Sequence, residues 1–151
     1  MLALADEVFA SRSDPQQIDV NQQVLDRLCS IHPASVQSHD EPDGPVAWVL
    51  AFPCTENLMH LFLENRITER QLFEQTPLHV SYHTLYLCSA LVLEEYRKKG
   101  LAKMLTLQAV EAIRSDHPIK SLFAWTFSKA GDQLAKSITK NTGLPLHLRQ
   151  Y

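Results

Sequence analysis

The 151-residue sequence predicts a single domain of mixed α/β class, with a central sheet flanked by helices. Hydrophobic residues make up 45% of the chain and charged residues 21%, a balance that indicates one packed core. The second half alternates between strand and helix patterns, in the order strand, helix, strand, helix. Since no repeat or linker interrupts the sequence, we expect residues 1–151 to form one domain.

Helical periodicity dominates the N-terminal part of the chain. Apolar residues recur at helical spacing from Leu2 to Phe9 and stop before Asp14-Pro15, which predicts a short first helix. Asp19 is the predicted N-cap of a second helix, which ends before Pro33. The apolar stripe of this helix consists of Val20, Val24, Leu25, Leu28 and Ile31.

A hairpin and two short helices are predicted next. Residues 36–39 alternate weakly, residues 41–44 have turn chemistry, and residues 46–52 are apolar on both faces, so the second strand of the hairpin is expected to be buried. Thr55 is the predicted cap of the first short helix, and the segment from Thr68 to Gln71 matches a capping box that opens the second.

The second half supplies two strands, two helices and a final short strand. Residues 80–93 are rich in β-formers and predict a long central strand. A helix is expected from Leu101 to about Ser115, and a second buried strand over residues 119–127. Residues 130–142 predict a helix that ends at Gly143, and residues 146–149 a last strand.

The junction between the central strand and the next helix concentrates positive charge. Four of the chain's 14 basic residues lie within seven positions there, although the formal net charge is -3. Gly100 permits a backbone conformation that other residues avoid, and Ala102 leaves room for a ligand, so the free amides of the first helical turn can converge on a phosphate. The residues alone leave two interpretations open: an anion site, or a solvated basic turn.

This junction resembles the GNAT acetyltransferase family, whose motif R/Q-x-x-G-x-G/A is matched by Arg97, Gly100 and Ala102. Residues 132–144 are similar to the family pattern N-x-x-A-x-x-L-Y-x-x-x-G-F at Asp132, Ala135, Ile138, Thr139, Gly143 and Leu144. The resemblance covers residues 36–148 and implies a GNAT-like acyl-CoA N-acyltransferase fold, here with its first and last strands atypical or missing.

The resemblance implies acetyl-CoA as the cofactor and an amine of a small molecule or peptide as the acceptor. The central strand is expected to splay at Leu91, Val92 and Leu93, where its backbone groups would pair with pantetheine. A backbone N–H near Val92 would stabilise the oxyanion, and Asp132 would border the pantetheine and the thiol. The residues expected to hold the pyrophosphate are Arg97, Lys98, Lys99, Gly100, Leu101, Ala102 and Lys103.

Tyr86 and Thr139 are the candidate catalytic residues. Tyr86 lies six residues before Val92, on the same strand face by alternation, where a base is possible; the alternative is a packed tyrosine with a satisfied hydroxyl. Thr139 stands where the family commonly places a tyrosine that protonates the thiolate, and threonine is a far poorer acid. The rival hypothesis is therefore a catalytically weak or inactive GNAT-like module that binds acyl-CoA.

Composition limits the partners. The acidic balance, with a pI near 6.1, gives no general attraction for nucleic acid or anionic membrane. No apolar run approaches the ~20 residues that span a bilayer. Three widely spaced cysteines predict a reducing cytoplasm, and the seven histidines show no zinc-binding spacing. An open sheet edge would allow a homodimer.

Overall fold

A computed structural model describes residues 21–96, 99–126 and 128–150 of the chain. The predicted helix between residues 2 and 14 lies outside the described residues, as do Asp19 and Val20. The helices are α1 (Gln22–Ile31), α2 (Glu56–Leu63), α3 (Glu69–Gln75), α4 (Leu101–Asp116) and α5 (Lys129–Thr142). The strands are β1 (Val36–Glu41), β2 (Gly44–Cys54), β3 (Thr84–Val92), β4 (Ser121–Ala124) and β5 (Leu146–Leu148).

The five strands form one mixed sheet in the order β1-β2-β3-β4-β5. β2 pairs antiparallel with both β1 and β3, whereas β4 pairs parallel with both β3 and β5. Each parallel connection passes through a helix, α4 or α5, as a crossover requires. The mixed α/β class, the hairpin and the strand-helix alternation of the second half are thus confirmed.

Helix ends follow capping chemistry. The predicted caps at Thr55 and Thr68 are confirmed, and Thr68 forms the complete capping box with Gln71. The prediction that Asp19 caps α1 is wrong, because Asn21 occupies that position and accepts a 2.9 Å hydrogen bond from the amide of Val24. Both residue types cap helices well, so composition could not place this boundary within two residues.

The two predicted central strands are shorter in the structure. β3 begins at Thr84; the chain bends at residues 78–80, and the Tyr82 hydroxyl donates to the carbonyl of Pro77. β4 ends at Ala124, since β5, its outer neighbour, offers only three residues for pairing. Apolar composition therefore marks burial here more accurately than it marks strand length.

A β-bulge interrupts the pairing of β3 with β2. Leu50 pairs with Ser89 and Ala51 pairs with Leu87, so Cys88 is an extra residue in β3. A bulge of this kind bends its strand and shifts the side chains that follow it to the other face.

The bulge places Tyr86 and Val92 on opposite faces of the sheet, and the prediction that they share a face is wrong. Simple alternation fails because one residue is inserted between them. The aromatic neighbours of Tyr86 are Phe52, Phe62 and Phe123, which meet it at ring-centroid distances of 4.9 to 5.3 Å. Val92 instead packs in a separate cluster with Ala47, Val49, Leu101 and Leu105.

None of the helices in the described ranges has the length and apolar character needed to cross a lipid bilayer.

Candidate functional site

The strands β3 and β4 separate in the middle of the sheet. Their pairing starts at Thr84 with Ser121 and ends at Leu87 with Ala124, while β3 continues to Val92. The strands therefore separate four residues earlier than the Leu91–Leu93 segment predicted from the sequence. Beyond Leu87, the backbone groups on this edge of β3 face a cleft instead of a neighbouring strand.

The cleft has a volume of about 700 Å³ and a mainly apolar lining. The second half of β3 forms one wall, and the end of β4 with the first turns of α5 forms the other. The first turn of α4 closes one end of the cleft, and side chains of α1, β2 and α3 contribute to its inner surface. A cleft between separated sheet strands offers an elongated ligand both a backbone edge and side-chain walls.

The backbone of β3 has a defined direction at this edge. The amide of Leu93 donates a 2.8 Å hydrogen bond to the carbonyl of Val46, away from the cleft. Since backbone groups alternate in direction along a strand, those of Val92 and Ala90 point towards the cleft. Leu91 and Val92 line the cleft as predicted, whereas Leu93 is not among its described lining residues.

Helix α4 begins at the mouth of the cleft with an open N-terminus. Gly100 is left-handed, with φ +73°, and makes no side-chain capping bond. The amides of Leu101, Ala102 and Lys103 have no acceptor within the helix, because an α-helix cannot bond its own first turn. A Cβ added at Gly100 would meet no atom of the described residues within 4 Å, so there is open space beside this glycine. The arrangement gives a helix end of positive potential, which is the kind of position that binds anions in other proteins.

The predicted basic residues of this loop are only partly described. Arg97 and Lys98 lie outside the described residues, and Lys103 lines the cleft. Lys99 is exposed, and its ammonium lies 5.1 Å from the ring centroid of Tyr96, which also lines the cleft. Positive charge is therefore present on both sides of Gly100, as the sequence predicts.

The first turns of α5 line the opposite side of the cleft. Asp132 accepts a hydrogen bond from the hydroxyl of Thr126. Thr126 is a lining residue, whereas Asp132 is not among the described lining residues, so Asp132 contacts the cleft through Thr126. Thr139 lies one helical turn beyond Ala135, the last α5 residue in the lining. The Thr139 hydroxyl is buried and has no hydrogen-bond partner among the residues that the structure describes.

Tyr86 is a fully buried core residue. Its hydroxyl donates to Oε2 of Glu69. Burial, with a further contribution from the charge of Glu69, raises the pKa of Tyr86 well above its usual value of 10. Because a phenol of this kind stays protonated at neutral pH, the geometry gives no support to Tyr86 as a general base.

Glu69 is a residue of the cleft that our sequence analysis missed. It is the first residue of α3, is only 6% exposed, and lines the cleft. From the sequence, Glu69 is identified only as part of the capping box that opens α3. A signal was present: Glu69, Leu72 and Phe73 follow the i, i+3, i+4 spacing of one buried helix face, and all three are buried.

Trp125 forms the wall of the cleft just after β4, and Arg149 supports it from behind. The guanidinium of Arg149 lies between the rings of Phe62 and Trp125, at 4.4 Å and 4.5 Å from their centroids. Its Nε donates a 2.7 Å hydrogen bond to Asn65. These contacts fix the indole at the cleft wall.

Comparison with known proteins identifies one family. A family model described as Acetyltransferase (GNAT) family matches residues 5–133, from the N-terminal region to the first turn of α5. The matched range contains the separated strands, the open end of α4 and Glu69. The search of curated proteins found no match.

Proposed function

Because the chain belongs to the acetyltransferase (GNAT) family, we propose that it is an acetyl-CoA-dependent N-acetyltransferase acting on an amine of a small molecule or peptide. The observation that carries this proposal is the N-terminus of α4 at Gly100, which has no side-chain cap and lies at the mouth of a cleft between separated strands. When bound, acetyl-CoA supplies the acetyl group as a thioester, which a neutral amine attacks.

The residues at the α4 end fit the diphosphate of the coenzyme. The amides of Leu101, Ala102 and Lys103 would hold its oxygens, and Lys99 would balance its charge. The resemblance to the family assigns Arg97 and Lys98 to the same phosphate site. Two or three charged contacts together with helix amides are the usual composition of a phosphate site.

The walls of the cleft fit the rest of the coenzyme. The backbone groups of Ala90 and Val92 would pair with the pantetheine amides as an added strand, beside the side chain of Leu91. Leu93 would act indirectly, since its bond to the hairpin keeps β3 in register. Ser89 also lines the cleft, and its hydroxyl, which interacts with the Cys88 thiol, would offer the ligand a further hydrogen-bonding group.

The reacting end lies where the strands separate. A cleft-facing amide of β3 near Ala90 would stabilise the negative charge that develops on the carbonyl oxygen. Val92, the position that the resemblance suggests, lies next to α4 at the phosphate end of the strand. Asp132 would act through Thr126, whose hydroxyl it orients at the cleft wall. Much of the rate would come from holding the amine and the thioester together.

The second candidate is a GNAT-like module that binds acyl-CoA with little or no transfer. One observation favours it: Tyr86 is enclosed in the core, and Thr139 is not among the described residues of the cleft, so neither has direct access to a leaving thiolate. On this alternative the cofactor site is intact while proton transfer is inefficient.

Two assays on the purified protein separate these functions. Millimolar acetyl-CoA should raise the melting temperature, because a ligand that binds only the folded state stabilises it. Chromatography should then show an N-acetylated product from at least one member of a panel of amines. No shift with acetyl-CoA would reject the cofactor, and a shift without any product would favour the binding module.

A homodimer is a further proposal, motivated by the open edge of a sheet in which β1 and β5 are the outer strands. Size-exclusion chromatography with light scattering measures the mass of the protein in solution directly. A mass near 17.2 kDa would mean a monomer, and twice that value would mean the proposed dimer.

A further inference from the structure

The charges of the cleft are separated along its length. Among the described lining residues, two carry charged side chains, Lys103 and Glu69. Lys103 belongs to the first turn of α4, which packs at the Val92 end of β3, while Glu69 bonds to Tyr86 near the beginning of that strand. Six residues of strand separate the two ends, about 20 Å at ~3.3 Å per residue. The cleft is therefore cationic at one end and anionic at the other.

This polarity matches the two ends of the proposed reaction. In acetyl-CoA, the diphosphate and the thioester lie at opposite ends of the pantetheine arm. If the open end of α4 holds the diphosphate, the arm extends along β3 towards the end where Glu69 lies. The carboxylate is therefore on the acceptor side of the thioester and far from the phosphates, whose charge it would repel.

The carboxylate of Glu69 is held in one orientation. The Tyr86 hydroxyl donates to its Oε2, and the helix that carries it starts with a complete capping box. Among the described residues, the charged and titratable groups that act on this pair include Cys88 on β3 and Arg149 beyond β5. The Cys88 thiol is kept neutral, since burial and then the charge of Glu69 raise its pKa well above 9.

The cleft-lining side chains near Glu69 are mainly apolar, and Arg149, the cation near the Tyr86–Glu69 pair, is not among the described lining residues. The lining residues that belong to, or pack against, the core cluster that contains Tyr86 are Val24, Leu28, Leu50, Leu87, Cys88, Leu91, Trp125 and Leu134. Charges interact more strongly in apolar surroundings than in water. Such a carboxylate attracts an ammonium group, repels a second carboxylate, and leaves space for an apolar stem.

We propose that Glu69 binds the ammonium group of the acceptor and accepts its proton, so that the acceptors are primary amines on apolar stems with no carboxylate beside the nitrogen. The inference rests on the proposed acetyltransferase function and names its acceptor class. The ammonium passes one proton to the Glu69 carboxylate, and the neutral nitrogen forms the C–N bond as the C–S bond breaks. A second proton passes from the nitrogen to the departing thiolate, and Glu69 returns its proton to solvent.

Two amines of matched shape test the acceptor class on the unmodified protein. Phenethylamine has an ammonium group on an apolar stem, and phenylalanine adds only the carboxylate. We expect kcat/KM for phenethylamine to exceed that for phenylalanine by at least about tenfold, because like charges repel in the cleft. Equal values for the two probes would overturn the proposal without the need for a variant.

The substitution E69Q tests the residue itself. Glutamine keeps the shape of the side chain and an oxygen that can accept from Tyr86, but it cannot carry the charge. We expect E69Q to lose at least about tenfold in kcat/KM for phenethylamine, to lose the preference over phenylalanine, and to bind acetyl-CoA as the unmodified protein does. The matched control is E74Q, which removes an exposed carboxylate from the same helix and should change none of these quantities.

Calorimetry gives a readout independent of turnover. Titration of phenethylamine into the cofactor-free protein should give weaker binding for E69Q than for the unmodified protein and E74Q. Full transfer and unchanged phenethylamine affinity in E69Q would overturn the role of Glu69. Failure of the enzymatic function looks different: acetyl-CoA binds but no amine is acetylated, while the calorimetric comparison still decides whether Glu69 binds an amine.

Discussion

The Tyr86 hydroxyl donates a hydrogen bond to Oε2 of Glu69, and both side chains are buried. The pair joins the central strand to α3, which precedes it in the chain by 17 positions at this contact. Tyr86, which the sequence suggested as a base, therefore holds the carboxylate of Glu69, a residue that lines the cleft. The proposed chemistry at the acceptor end therefore involves α3 as well as the central strand.

Removal of the unpartnered hydroxyl of Thr139 should stabilise the protein. Valine has the same shape without the buried oxygen, so we expect T139V to raise the free energy of unfolding by about 1 kcal/mol, measured in urea. Turnover should stay within about twofold of the unmodified protein, because Thr139 is not among the described cleft residues.

The control for this change is T142V on the same helix. Its hydroxyl donates to the carbonyl of Ile138 and accepts from the amide of Leu144, so its loss should destabilise the protein by about 1 kcal/mol. A large fall in kcat for T139V with acetyl-CoA affinity unchanged would instead restore Thr139 as the acid of the reaction.

The three cysteines should differ strongly in reactivity. Burial raises the pKa of Cys54 to about 11, against a smaller lowering by the Thr76 hydroxyl, and burial raises that of Cys88 as well. Cys29 is exposed. Because the thiolate is the nucleophile, a maleimide at pH 7 should label Cys29 first. Mass spectrometry should find one rapid addition and none in C29S, and rapid labelling of C29S would contradict this prediction.

Acid should destabilise the protein in part through His117. Burial, and then the nearby His32, lower the pKa of His117 below 6.5, while Asp116 partly offsets them. Between pH 6.5 and this lower folded value, the unfolded chain binds a proton that the folded chain does not. The folded state therefore loses stability as the pH falls through this window, by less than about 1 kcal/mol for a partly exposed group.

The substitution H117F tests this effect. Phenylalanine keeps a ring packed against Tyr82, whose ring centroid lies 4.7 Å from that of His117, and it does not titrate. We expect H117F to lose less unfolding free energy than the unmodified protein between pH 7 and pH 5.5. H147F, at an exposed position, controls for the added ring, and an unchanged pH slope in H117F would refute the assignment.

The elements of the fold were predictable where the local chemistry is strong. The capping residues Thr55 and Thr68 and the terminal Gly143 mark helix ends through contacts within one turn, so a single sequence is sufficient. The bulge at Cys88 has no such local marker, since it results from the pairing of two distant strands. This one inserted residue is the reason that alternation predicted the wrong face for Tyr86 relative to Val92.

The two ends of the site differ in the same way. The proposed phosphate end is local, because Gly100 and the amides after it lie in one turn, which lines the cleft. The proposed acceptor end is lined by α1, β2, α3 and the segment after β4, which meet only after folding. Glu69 was missed for that reason, although its helical spacing with Leu72 and Phe73 marked it as inward-facing.

The central claim is that the open turn at Gly100 binds the diphosphate of acetyl-CoA, and isothermal titration of acetyl-CoA tests it most directly. Gly100 and Gly143 have φ of +73° and +76°, and a Cβ would meet no atom within 4 Å at either position. G100V and G143V should therefore carry similar backbone strain, of about 1–2 kcal/mol. We expect G143V to bind as the unmodified protein does and G100V to bind at least about thirtyfold more weakly. Equal affinity in G100V would contradict the account.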